Sequence, residues 1–160
     1  MDNLLGNIDL TGIYTIAEEI AAKYKQNLES EGINASGALS DSADHWDVDF
    51  DGQTFQITLN LEQYWYYVEN GRKPGKMPPI NVIKDWIQVK RIVPRPLRGK
   101  VPSPDQLAFL IARKIGRDGI PARHILERTI QETDISSRVT QVIVNGINEI
   151  IENDLRNLNK

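Results

Sequence analysis

The chain has 160 residues, 40% of them hydrophobic, a net charge of −3 and no cysteine. That length supports one sizeable core and makes two full domains a tight fit. The lack of cysteine excludes disulfides, thiolate catalysis and the usual structural zinc sites, and fits assembly in a cytoplasm. No window holds the apolar run that a membrane helix needs, and Met1-Asp2-Asn3 lacks the basic start of a signal peptide. The expectation is a soluble, intracellular, single α+β domain spanning 1–160.

Element signals begin with a helix. Ile13, Ile16, Ala17, Ile20, Ala21, Tyr24 and Leu28 recur at three- and four-residue spacing, with Thr11 as N-cap and Gly32 as the stop. The polar stretch 34–42 reads as a loop or frayed turn. The period then becomes two: Trp46, Val48 and Phe50 alternate with Asp47, Asp49 and Asp51, and Phe55, Ile57 and Leu59 resume after Gly52. Asp51-Gly52 between alternating runs predicts a hairpin over 46–60, its apolar face covered by the first helix. In the aromatic stretch Leu61–Gly71, Tyr64, Tyr67 and Val68 share a helical face and Asn70-Gly71 supplies a stop; a strand through Tyr64–Val68, adding to the hairpin, is the competing reading.

Pro79 suits a first helical position, and Ile80, Ile83, Trp86 and Ile87 form a short amphipathic helix. Residues 91–104 hold four of the eight prolines along with Arg91, Arg95, Arg98 and Lys100, so they read as an extended basic arm. Ser103-Pro104-Asp105-Gln106 restarts a helix with cap, N1 proline and a box-like Gln. Its stripe is Leu107, Leu110, Ile111 and Ile115, and Gly116 or Gly119 ends it. Ile125, Leu126 and Ile130 belong to a separate helix or strand. A long C-terminal helix from about 136 to 158 carries Val139, Val142, Ile143, Gly146, Ile147, Ile150, Ile151, Leu155 and Leu158, its last turns reaching beyond the core.

The charge is divided along the chain. Residues 1–69 carry thirteen Asp/Glu and two Lys/Arg, whereas 70–128 carry fourteen Lys/Arg and four Asp/Glu. The halves can neutralise each other within the fold, or present opposite-signed faces to neighbours. In the second case an acidic face meeting the basic face of the next copy gives a head-to-tail contact that closes into a ring where the rotation permits.

Catalytic chemistry is not visible. His45 and His124 have no His or Cys at ligand spacing, so no metal site is expected. Asp47, Asp49 and Asp51 lack the later ligands of a calcium loop and read as a solvated strand face. Asp41, Asp44 and His45 have no nucleophile or oxyanion donors beside them, and Gly71-Arg72-Lys73-Pro74-Gly75-Lys76 is not a phosphate loop. No cofactor is expected. The basic middle, with Tyr64, Trp65, Tyr66 and Tyr67 nearby, also admits duplex binding, through phosphate neutralisation and base stacking.

Several pieces in order resemble neck and tail-completion (head–tail joining) proteins of tailed bacteriophages: Ser36-Gly37-Ala38-Leu39-Ser40-Asp41-Ser42; Tyr67-Val68-Glu69-Asn70-Gly71-Arg72-Lys73; Met77-Pro78-Pro79; Trp86-Ile87; the run Leu107–Ile115; and Gly119-Ile120-Pro121. The likeness covers about 36–130. It departs at His124-Ile125-Leu126, where that family commonly has Pro-Phe-Leu, and in the arm and the long last helix. The resemblance implies a small α+β subunit with a helix-packed sheet, assembled in the host cytoplasm into a homo-oligomeric ring of the virion neck, between portal or adaptor and tail proteins, without enzymatic activity. DNA in the channel is then a non-specific contact. The candidate protein-contact residues are Arg72, Lys73 and Lys76 in one loop, and Arg91, Arg95, Arg98 and Lys100 in the arm. The alternative is a nucleic-acid-binding or processing protein of a mobile element.

Overall fold

A computed structural model describes residues 11–33, 36–51, 54–96 and 99–158. In chain order these form α1 (Thr11–Ser30), α2 (Ala38–Ser42), β1 (Trp46–Phe50), β2 (Phe55–Leu59), α3 (Trp65–Asn70), α4 (Ile80–Val89), α5 (Pro104–Asp118), α6 (Ile125–Thr133) and α7 (Ile135–Leu158). The class is mixed α+β, with one two-stranded antiparallel sheet among the described residues. No helix among them is long and apolar enough to cross a membrane.

α1 organises two clusters because its apolar stripe runs its whole length. At its start, Ile13, Ile16 and Ile20 meet Val48, Phe55, Ile57 and Leu59 of the hairpin and Ile135, Val139 and Val142 of α7. Toward its end, Tyr24 and Leu28 join Leu39, Ala43 and Ile125, with Trp65, Val68 and Leu126 packed around them. Each such fully buried aliphatic side chain contributes about 1.5–3 kcal/mol by leaving water. The buried Asn27 amide donates to Thr129 Oγ1 at 3.0 Å and to Glu132 at 3.1 Å, which gives the α1–α6 contact its register. That bond, followed by one from Lys23, holds the Glu132 carboxyl below its ordinary range.

The hairpin has Trp46 opposite Leu59 and Phe50 opposite Phe55, placing Asp47 and Asp49 on the exposed face. Gly52, expected in its turn, lies outside the described residues, whereas Asp51 Oδ1 accepts from Thr54 N at 2.7 Å. The additional strand does not occur among the described residues. Trp65–Asn70 is helical, and Trp65 and Val68, three apart, both reach the Tyr24 cluster.

Part of the stretch expected as a loop is helical: α2 forms because Leu39 is 2% exposed in that same cluster. Its Ser42 hydroxyl donates to Leu39 O at 2.8 Å and accepts from Glu62 N at 3.1 Å.

α4 and α5 pair around a third cluster. Ile83 and Ile87 lie against Ala108 and Ala112, both 0% exposed, with Leu107, Ile111 and Ile115 at the margin. Two alanines at i, i+4 spacing let the helix backbones approach closely. The expected stripe is thereby rotated, and Leu110 stands 40% exposed. Ser103 and Gln106 form the full capping box that starts α5. Pro79 is the N-cap of α4, one residue before its predicted place. Between Val89 and Pro104 the described residues are non-helical and Val93 is 82% exposed.

Candidate interaction surface

Two glycine turns place the basic loop. Gly71 (φ 69°, ψ −166°) ends α3 and Gly119 (φ 77°, ψ −162°) ends α5, both in a backbone region essentially closed to other residues. The residues that follow them, Arg72 and Ile120, form an antiparallel bridge with both N–H···O distances 2.8 Å. A Cβ on Gly71 would stand 2.4 Å from Ile120 O, and one on Gly119 would stand 2.2 Å from Arg72 O. Alongside, Arg123 N donates to Val68 O at 3.0 Å and Gly75 N to Gly116 O at 2.7 Å. This backbone seam fastens the α4–α5 pair to the α1-centred clusters.

Glu69 completes the seam. Its two carboxylate oxygens accept from Leu126 N at 2.8 Å and Glu127 N at 3.0 Å, so it caps α6 from 57 residues away. His124 enters α6 in the left-handed conformation (φ 50°), with Nδ1 3.2 Å from Glu127. Glu69, His124 and Glu127 therefore come within metal-ligand reach of one another, a grouping that sequence spacing does not reveal. The geometry favours a cap over a cation site, because both Glu69 oxygens are taken by backbone donors. The positive end of the α6 dipole also opposes a cation there.

The loop after the seam carries the first group of predicted contact residues. Lys73 and Lys76 are exposed, and the half-buried Arg72 turns its guanidinium back to Lys76 O at 2.5 Å. In the arm, Arg91, Arg95 and Lys100 are exposed; Arg98 lies outside the described residues. Arg91 is itself left-handed (φ 49°).

Most of the other described cations are paired with a carboxylate. Lys23, Lys25, Lys84, Lys114, Arg117, Arg123, Arg128, Arg138 and Arg156 each have a carboxylate within 4.0 Å. Among the described residues, Arg72, Lys73, Lys76, Arg91, Arg95 and Lys100 have none. Among the described residues, Glu31 is where ion pairs join the acidic and basic halves, taking Arg123 at 3.3 Å and Arg128 at 3.0 Å. Internal neutralisation of the halves is thus slight.

Tyr67, 53% exposed, divides a trough above the seam. On one side Tyr64, Val68, Trp86 and Lys90 border about 320 Å³; on the other Arg72, Lys76, Met77 and Pro79 border about 570 Å³. Tyr67 and Ile120 belong to both hollows, so the two adjoin. Trp86 and Ile80, expected in the α4 core face, are 40% and 39% exposed, because Ile83 and Ile87 alone point at α5. Tyr, Trp, Met and Arg are the residues enriched at protein interfaces, and Tyr67, Trp86, Met77 and Arg72 line this trough.

No protein-family model, curated protein or solved structure matches this chain.

Two further surfaces are apolar. Phe55, Ile57, Leu59, Leu126, Ile130 and Val139 border an open hollow of about 390 Å³ between the hairpin, α6 and α7. Along α7, Val144, Ile151, Leu155 and Leu158 are 45–81% exposed, and Gly146 is its only buried residue among those described. Asp41, Ser42 and His45 share a hollow, but the Ser42 hydroxyl already bridges Leu39 and Glu62. It is a structural group, with no catalytic base arranged upon it.

Proposed function

We propose that the chain is a non-catalytic structural subunit of a tailed-phage neck, a head–tail connector or tail-completion protein that works by docking to copies of itself and to portal and tail proteins. The observation that carries this reading is the set of six cations, Arg72, Lys73, Lys76, Arg91, Arg95 and Lys100, with no carboxylate partner among the described residues, in a chain whose N-terminal half is acidic. Unneutralised charge of both signs on one subunit suits heterologous contacts, which repeat around a ring. The motif series supports the same reading, since Val68-Glu69-Asn70-Gly71-Arg72 and Gly119-Ile120-Pro121, far apart in sequence, share one backbone seam. Exposed apolar surface on α7 and beside the hairpin adds area of the kind that partners cover. The proline-stiffened arm then reaches across a subunit boundary at modest ordering cost, and the protein resides in the virion.

A second reading, nucleic-acid binding by a mobile-element protein, draws on the same cations beside Tyr67 and Trp86, which also suit phosphates and bases. Sedimentation velocity at a series of concentrations and salt levels, with and without duplex DNA, separates the two. The ring reading expects a salt-sensitive oligomer that Lys73→Glu with Lys76→Glu, or Arg95→Glu with Lys100→Glu, disperses while circular dichroism is unchanged. A chain that stays monomeric throughout and binds duplex with a steep salt slope overturns it.

A further inference from the structure

The trough and the hairpin are opposite in charge and carried by the same chain. The hairpin's outer face presents Asp47 and Asp49, flanked across the register by Thr58 and Gln56. Among the described residues neither aspartate has a Lys, Arg or His within 4.0 Å; Asp47 takes only the Asn60 amide, at 3.0 Å. Alternate residues on a strand stand about 6.8 Å apart, so these carboxylates form a straight row. The two hollows of the trough adjoin at Tyr67 and Ile120, and Arg72 and Lys76 border one of them.

We infer that the trough seats the acidic face of the hairpin of a second copy, with Asp47 and Asp49 of one subunit against Arg72, Lys73 and Lys76 of the next. This rests on the ring reading and names its contact. Tyr67, Met77, Pro79 and Ile120, which share the hollow with Arg72 and Lys76, would shield these ion pairs from water and raise their strength above that of exposed pairs. The donor and acceptor surfaces are different patches, so each copy uses its hairpin on one neighbour and its trough on the other. The interface is heterologous and propagates.

The absence of cysteine provides a direct test. Thr58→Cys, on the hairpin's outer face, and Pro79→Cys, beside the trough, leave every charged residue in place. Chains carrying one or the other are mixed and oxidised, and disulfide-linked dimers are resolved on a non-reducing gel. The pairing predicts a Thr58–Pro79 link at least about tenfold more abundant than a control link between Asn153→Cys and Pro79→Cys, the factor that 1.4 kcal/mol of binding supplies. The link is lost when the Thr58→Cys chain also carries Asp47→Asn and Asp49→Asn, and at about 1 M salt, where the Debye length falls to about 3 Å. Salt-sensitive oligomers without a Thr58–Pro79 link overturn the pairing and leave the ring reading standing. Monomers that neither link nor oligomerise, and instead bind duplex DNA through the lysine loop, overturn both.

Discussion

Gly119→Ala tests the seam most sharply. The Gly119 backbone conformation costs a residue with a Cβ about 1–3 kcal/mol. The new Cβ would also lie 2.2 Å from Arg72 O and 3.1 Å from Pro74 N, both rigid backbone. Relief requires the strands to part by about 1 Å, which disrupts the pair of 2.8 Å bonds between Arg72 and Ile120 at roughly 1 kcal/mol each. The expected loss is about 3–5 kcal/mol, a large fraction of the 5–15 kcal/mol typical of a folded protein. Gly32→Ala provides the reference: its φ is +63° but nothing lies within 4 Å of its Cβ, so it isolates the left-handed cost of about 1–2 kcal/mol. Urea unfolding followed by far-ultraviolet circular dichroism and tryptophan fluorescence measures both. If Gly119→Ala is no more destabilising than Gly32→Ala, the close approach at the seam does not stabilise the fold as argued.

The Glu69 cap is expected to contribute about 2 kcal/mol, so Glu69→Ala lowers the melting temperature by about 4–8 °C and Glu69→Gln by less; a shift under 1 °C for Glu69→Ala removes the cap from the account. Burial, then the nearby Glu69 and Tyr64, hold the Tyr24 phenol well above its ordinary 10. Its neutral form is thus favoured in the folded state, and the associated stability is complete below pH 10 and lost as pH rises above it, by about 1.4 kcal/mol per unit. Urea midpoints between pH 8 and 11 should show that slope in the native chain and not in Tyr24→Phe; equal slopes would refute it. Ile16→Ala, truncating a residue 2% exposed between α1, the hairpin and α7, should cost about 2–5 kcal/mol in the same urea assay.

Most of the element order follows from local chemistry. The apolar period of 3.6 marked α1, and the period of two marked the hairpin. Ser103-Pro104-Asp105-Gln106 announced the α5 cap because its bonds join residues three apart. Short-range signals failed where burial came from elsewhere. α2 is helical because Leu39 reaches a cluster built by α1 and α6, and Leu110 lies outside the core because Ala108 and Ala112 face α4. The candidate contact residues were legible as a basic stretch, but that stretch alone does not say whether the acidic half neutralises it.

By itself the sequence determined the class, the acid–base division and Gly71 as a helix stop, and narrowed the next stop to Gly116 or Gly119, since these depend on composition, periodicity and backbone freedom. Only the tertiary structure decided that those two glycines face each other across one seam and that Glu69 caps a helix 57 residues away. It also decided that Arg72, Lys73, Lys76, Arg91, Arg95 and Lys100 find no carboxylate among the described residues, whereas Lys84 between them pairs with Asp105. Each of these is a relation between distant segments, and the energy that fixes it lies in contacts that no local pattern encodes.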